Sequence, residues 1–452
     1  MGRFVVDAVN PASPEQGGTE FNFLLLALFF VLFVFRFLRL FVGIWANLTC
    51  KPIPIPAFPN YIPSRDVTVI VPTVYKKPQE LLECLQRIHR CGPKAVFVVL
   101  LETHLEHVRN LISSNGLDAF VVCKGVKKLG KRTQLLTALQ SPELRTKLVV
   151  FADDDVFWPT NYLENMVASF ENPKVGAAGT CQRTRRTAGS SWYPTNFWNI
   201  LGISYLERRV FNNLTTNFID GSISTLSGRS SCWRTEILQC EEFYTYFTTD
   251  SWRGKLLNSD DDKCLTRYAY SHGWDILINT AVCLETTQEE SSAYIHQCLR
   301  WARARYRGNM TVMGKETYWR SRKYAWGTYV IYVSMLQNPS LLIDLGFAYL
   351  LTLIVAPCEP ATRCLCYTLL GLWLLLSKVV RLIPHMLRHP SDLVWLPALI
   401  AFGYYHGLLN VYAMCTLTQT AWGGKDLNAL SKAKPETDES TPLICDPATT
   451  PK

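Results

Sequence analysis

Several features are missing from this 452-residue chain. It has fifteen cysteines but no Cys-x-x-Cys pair of the zinc-binding kind, and Cys364-Leu365-Cys366 has the wrong spacing. Several of the thiols sit in apolar runs, where a free cysteine acts as a small hydrophobe. This points to a reduced, cytosol-facing middle section rather than a disulfide framework. A large charge excess is also missing. A net charge of +9 over this length makes no case for nucleic acid as a partner. Positive charge is absent directly ahead of the first apolar run, where Glu15 and Glu20 stand instead, which argues against a cleavable signal peptide.

Apolar residues are abundant but concentrated near the two ends. Residues 21–45 form one run, interrupted by Asn22, Arg36 and Arg39. It is expected to be a retained membrane anchor, with the N-terminus outside and Arg36, Arg39 and Lys51 on the cytosolic side. Residues 1–20 ahead of it are expected to be disordered. The spacer 46–64 contains a proline-rich segment, 51–63, that cannot hold a helix or a central strand. Further apolar runs at 341–357, 367–380 and 393–417 predict a C-terminal transmembrane region over 341–417. Residues 324–336 are too short to span, so 313–340 is read as interfacial, and the number of crossings stays open. The tail from 418, with Trp422-Gly423-Gly424, ends in a segment with no core-forming pattern. Asn47, Asn213 and Asn309 match the glycosylation pattern but would stay unmodified in a cytosolic section.

Between these ends, residues 65–312 alternate short apolar runs with helical patterns. Strands are expected at 66–71, 95–101, 119–123, 148–151, 175–181 and 275–279, helices at 78–91, 104–114, 131–139, 159–170 and 192–211, and a turn over 221–234 around Ser227-Gly228. Such alternation predicts an α/β domain with helices flanking a parallel sheet. Ligands of such sheets gather at the carboxyl ends of strands. Thr73, Glu102, Gly130-Lys131-Arg132 and Asp153-Asp154-Asp155 would meet there. Three adjacent carboxylates repel unless a cation or hydrogen-bond donors share them, although the same residues could cap the following helix. A second acidic group, Asp260-Asp261-Asp262, precedes a helical stretch and is either a cap or the seat of a general base. On a helix through 296–307, Arg300, Arg303 and Arg307 share one face, and Trp301 and Arg305 an adjoining one. That arrangement suits phosphates and sugars, or a membrane surface.

Gly130-Lys131-Arg132, Asp153-x-Asp155, Ser227-Gly228, Asp261-Asp262-Lys263 and Gln297-x-x-Arg300-Trp301 follow one another in the order seen in processive family 2 glycosyltransferases. The chain resembles hyaluronan synthases and their fungal polysaccharide-synthase relatives, with cellulose and chitin synthases further off. The resemblance covers roughly residues 67–422. It implies a GT-A (nucleotide-diphospho-sugar transferase) domain with a mixed, mainly parallel sheet, flanked by N- and C-terminal transmembrane helices. It further implies an inverting transfer from a UDP-sugar to a growing polysaccharide, with Mg2+ or Mn2+ as cofactor. By the same resemblance Lys131 and Arg132 would contact the nucleotide, with Glu102 near the base. Asp153 and Asp155 would hold the metal and diphosphate, with Asp153 toward the nucleotide and Asp154 left as a cap or supporting group. Asp262 would be the base beside Asp261. Ser227, Gly228 and Trp233 would touch the acceptor sugar, while Gln297, Arg300 and Trp301 would bind the acceptor end and leaving diphosphate. Trp422 would belong to a gating loop. Secretion of the polymer makes the plasma membrane the expected location, with Golgi or ER as the alternatives.

The chain departs from the family pattern in places. No acidic residue follows the first strand, His296 replaces a glutamine, Lys263 replaces an arginine, and Trp422-Gly423-Gly424 lacks the threonine. These departures leave the sugar open. A ceramide glucosyltransferase-like enzyme making one transfer to a lipid is the second expectation, and a non-catalytic membrane scaffold the third.

Overall fold

The structure is a computed structural model that describes residues 15–257 and 259–420, with the side chains of residues 15–22 left out of the description. Its centre is an eight-stranded sheet built from β1 (Val67–Pro72), β2 (Ala95–Leu101), β3 (Val121–Val126), β4 (Leu148–Ala152), β5 (Val156–Phe157), β6 (Val175–Thr184), β7 (Ser230–Arg234) and β10 (Asp275–Thr286). β8 (Ser251–Trp252) and β9 (Lys255–Leu256) form a separate hairpin. The order across the sheet is β3-β2-β1-β4-β7-β6-β10-β5. The β2–β3, β1–β2, β1–β4 and β6–β10 pairs are parallel, and β7 runs antiparallel to both its neighbours. The sheet is therefore mixed and mainly parallel, as expected.

Burial explains why β1, β2 and β4 read as continuous apolar runs. Val69 of β1 faces a cluster with Leu81, Leu85 and Ile88 of helix Pro78–Arg90 and Met166 of helix Tyr162–Ala168. The next residue, Ile70, faces the other side with Leu135 and Leu139 of helix Lys131–Leu139 and Leu265 of helix Asp261–Ser271. A strand covered on both faces has no polar side to alternate with. Each fully buried Val, Leu or Ile here contributes about 1.5–3 kcal/mol.

Three expected elements differ in the structure. The segment 221–234, read as turn, contains β7, and the strand expected at 275–279 continues to Thr286 after a register shift between Asn279 and Cys283. The helix expected at 192–211 is Phe197–Asp220. Asn196 caps it by accepting from Trp198 N, and Gly221, at φ 76°, ends it.

Helix Glu15–Thr49 packs on Phe197–Asp220, and Asn47 Nδ2 donates to Phe211 O at 3.2 Å and Thr215 Oγ1 at 3.1 Å. Arg36 and Arg39 lie within this helix. Its start at Glu15 brings helical backbone into the segment expected to be disordered, and residues 1–14 lie outside the described residues. Among the described residues, Phe23–Thr49, Pro360–Arg388 and Pro390–Cys415 are long and apolar enough to cross a membrane. Segment Arg322–Gln337 meets Ser340–Val355 at a 79° bend beside Pro339, forming a broken span or a re-entrant loop. Apolar helices at both ends of an enzyme-like domain describe a membrane protein.

Candidate active site

The carboxyl ends of β1 and β4, the loop before β7, several helices of the domain and the apolar helices from both ends of the chain line one cavity of about 700 Å³. β4 ends at Ala152, so the acidic triplet leaves the sheet at the cavity wall. Asp153 Oδ1 accepts from Lys131 Nζ at 2.6 Å, and the same ammonium lies 3.6 Å from Asp261 Oδ2 and donates to Gly228 O at 3.3 Å. One lysine thus joins three of the expected motifs. Burial pulls its pKa down, but Asp153 and Asp261 outweigh burial and hold it above the ordinary value. A Cβ on Gly228 would stand 3.2 Å from Lys131 Nζ and 3.3 Å from Asp262 Cβ, so glycine permits the loop's close approach.

Asp154 accepts from Thr73 Oγ1 at 2.5 Å, which ties it to the end of β1. It is a supporting group rather than a cap, because Asn161 precedes the next helix. Asp155 has longer contacts, 3.5 Å from Thr286 Oγ1 and 3.4 Å from Thr287 Oγ1. Burial, followed by the Asp153 and Asp154 charges, pushes Asp155 up to about 7. Burial lifts Asp154 to about 6 despite its Thr73 bond. Among the described residues no three His, Cys, Asp or Glu groups form a complete metal cage. The donor set nevertheless fits a hard divalent cation that takes one or two carboxylates and completes its shell with phosphate and water. Asp153 and Asp155 are the residues that would hold it.

The second acidic group lines the same cavity. Asp260, at φ 67°, is held by Arg307 through two bonds of 2.9 and 3.1 Å. Asp262 lies in the first turn of helix Asp261–Ser271, and burial and Asp261 raise its pKa. Lys263 turns inward. Its Nζ donates to Ser224 O at 2.7 Å, Ser224 Oγ at 2.9 Å and Asn309 Oδ1 at 2.7 Å, and its stem would lie 2.7 Å from a Cβ on Gly308. Asn309, buried and so engaged, is unavailable for glycosylation. Burial lowers Lys263 to about 7.

Lys263→Met is expected to destabilise the fold by about 1–3 kcal/mol, since three acceptors, among them the buried Asn309 Oδ1, lose their donor. The native lysine sits below its unfolded value of about 10.4, so the folded state binds fewer protons between that value and about 7. Stability should therefore rise with pH through this window in the native protein and less so in the variant. Thermal unfolding across pH tests both effects.

Helix Ala293–Lys315 contributes Gln297, Arg300 and Trp301 to the lining. Gln297 Oε1 is buried without a protein partner. Trp301 stacks on Tyr205 at 4.8 Å, and Arg229 stands 5.2 Å from its ring. Arg303 and Arg307, expected beside Arg300, instead stitch the helix to the C-terminal segment through Thr416 Oγ1 and the Leu417 and Gln419 carbonyls. Ser227 also lines the cavity and donates to Gln182 Oε1 at 3.0 Å.

Other expected contacts are not brought to the cavity. Arg132 is buried against Phe247 O, Asp250 and Ser259 O. Trp233 belongs to the core, where Nε1 donates to Ser231 Oγ at 2.9 Å. Glu102 occupies an exposed turn after β2, outside the cavity lining. Trp422 lies outside the described residues. Thr73, expected at this crevice, follows β1 and lines the cavity, while Arg229, which carries no sequence signal beyond its place next to Ser227-Gly228, lines it too. Arg132→Ala should lower stability by about 1–3 kcal/mol, because Phe247 O and Ser259 O lose their buried donor while Asp250 keeps Arg267 at 2.7 Å, with little change in donor KM for the fraction that folds. Chemical denaturation and steady-state kinetics separate these effects.

The family model described as "Glycosyltransferase like family 2" matches residues 63–304, which include the acidic residues that line this cavity. The chain belongs to that family. A type 2 glycosyltransferase of Gibberella zeae is 36% identical over 88% of this chain and 76% of its own length. One from Pyricularia oryzae is 35% identical over 94% and 86%. A hyaluronan synthase of Streptococcus pyogenes is 24% identical over 67% and 68%. Among solved structures, a mannosyltransferase from Pyrobaculum calidifontis in complex with GDP-Man and Mn2+ matches with a TM-score of 0.54 at 22% identity, over 88% of this chain and all (100%) of that one. This last likeness bears on the fold alone. The family, the GT-A-like fold and the hyaluronan synthase kinship expected from the motifs are all found.

Proposed function

We propose that this family 2 member is a metal-dependent, inverting hexosyltransferase that moves a sugar from a UDP-sugar to the end of a growing polysaccharide. The observation carrying this reading is that Asp153–Asp155, Asp262, Gln297, Arg300 and Trp301 all line one cavity, shared with apolar helices from both ends of the chain. Asp262 accepts the proton of the acceptor hydroxyl as its oxygen bonds to the anomeric carbon and the bond to the diphosphate breaks. One displacement of this kind inverts the anomeric centre. The raised pKa of Asp262 suits a base working near neutral pH. Arg229 and Arg300 place positive charge where the leaving diphosphate gains negative charge. A bound Mg2+ or Mn2+, held by Asp153 and Asp155, would supply further charge neutralisation for the diphosphate.

The reading places the chain as a multi-pass protein of the plasma membrane, with residues 65–312 on the cytosolic side. The mannosyltransferase neighbour was solved with GDP-Man, so the donor test includes that compound. Purified protein in vesicles is given labelled UDP-sugars and GDP-Man, and product length is measured. A polymer from a UDP-sugar supports the proposal. A one-sugar glycolipid would move the assignment to a single-transfer lipid glycosyltransferase, a reading favoured by the membrane helices in the cavity wall. No transfer from any donor, together with cellular function kept by Asp262→Asn and Arg300→Ala, would leave only the scaffold.

A further inference from the structure

The cavity holds a second group of charges that transfer to a hydroxyl does not use. Arg36 and Arg39 from helix Glu15–Thr49, Arg208 from helix Phe197–Asp220, and Lys378 and Arg381 from segment Pro360–Arg388 all line it. Among the described ion pairs, Asp344 is the carboxylate that answers them, 2.7 Å from Arg36 and 2.5 Å from Lys378. Arg36 keeps Nε and Nη1 buried without a partner, and Arg381 keeps Nε so. Arg39 donates to Ser334 Oγ at 2.9 Å and Arg208 to Ser204 O at 3.1 Å, both neutral acceptors.

Five cations facing one carboxylate repel one another, and removing them from water is costly unless an anion joins them. Arg36, Arg39, Lys378 and Arg381 lie inside segments apolar enough to span. The anion that a bilayer itself presents to basic pockets between its helices is a lipid phosphate. Guanidinium groups take phosphate oxygens by paired hydrogen bonds. We propose that this cationic tier binds the phosphate of an anionic membrane lipid. The proposal rests on the transfer reading only in placing that lipid beside the acceptor end of the site.

The test uses the full chain in phosphatidylcholine nanodiscs without nucleotide sugar, probed with photo-crosslinkable phosphatidic acid and the matching diacylglycerol. Phosphatidic acid should label the tier saturably and diacylglycerol should not. Arg381→Gln and Arg208→Gln should each weaken labelling about tenfold, the loss of one charged hydrogen-bonded contact, with partial rescue by Arg381→Lys. Lys174→Gln, at an exposed position, should change nothing. Equal labelling by the two lipids, or unchanged labelling in both arginine variants, overturns the proposal. So does displacement by equimolar inorganic phosphate, which would mark a free-anion site. Labelling by an oligoglucuronate in place of phosphatidic acid also overturns it, and reassigns the tier to an acidic polymer. Lipid labelling that persists while every sugar donor fails would sink the transfer reading and leave the lipid site standing.

Discussion

Asp262→Asn is expected to lower kcat by about a hundred- to ten-thousand-fold, the range for removal of a positioned general base, with donor KM little changed. The amide keeps the shape of the side chain, so Asp262's acceptor bond from Lys263 N at 2.8 Å can persist. Neither the triplet nor Lys131 loses a partner through the change, because Lys131 bonds to Asp153 and Gly228 and lies near Asp261. The loss should therefore fall on the chemical step. Single-turnover kinetics with labelled donor isolates that step. A fall in kcat/KM that came wholly from KM would instead give Asp262 a binding role. Donor hydrolysis without acceptor should survive better than transfer, because water needs less help from a base fixed at the acceptor position.

The parts of this site that could be read from the chain are those where neighbouring residues share one environment. β1, β2 and β4 are apolar throughout because helices cover both sheet faces, and the triplet stands out because it breaks such a run. β7 was hidden for the opposite reason. Its sequence, Ser230-Ser231-Cys232-Trp233-Arg234, is polar by composition, yet every residue is buried. Local bonds satisfy those polar groups, including Ser230 Oγ with Tyr162 OH at 2.7 Å and Ser231 Oγ with Trp233 Nε1. Lys131 and Arg132 show a second limit. Adjacent residues on a helix point about 100° apart, so one reaches Asp153 while the other enters the core beside Asp250. Charge type cannot make that distinction; only packing can. The same holds for Arg307, whose partner Asp260 lies 47 positions away in the chain.

Asp155→Asn should abolish Mn2+-dependent transfer, a loss of about a thousandfold or more, whereas Asp154→Asn should cost about tenfold. The order follows from what each carboxylate already holds. Asp153 is engaged by Lys131 and Asp154 by Thr73, while Asp155 has only the longer threonine contacts and carries the higher pKa, about 7. It is thus the oxygen pair with most to gain from a cation. An asparagine at 154 can still accept from Thr73, so that support survives the substitution. The two raised values also set a direction with pH. At about pH 5.5 a cation must displace protons from Asp155 and Asp154, and at about pH 8 it need not, so Mn2+ affinity should rise as pH rises between them. Electron paramagnetic resonance of Mn2+ with UDP present reads binding without turnover. It should show that pH dependence in the native protein and in Asp154→Asn, and weak binding at either pH in Asp155→Asn. If Asp154→Asn proves the more damaging for Mn2+, the cation is held one residue earlier in the triplet, and Thr73 becomes the group that orients it.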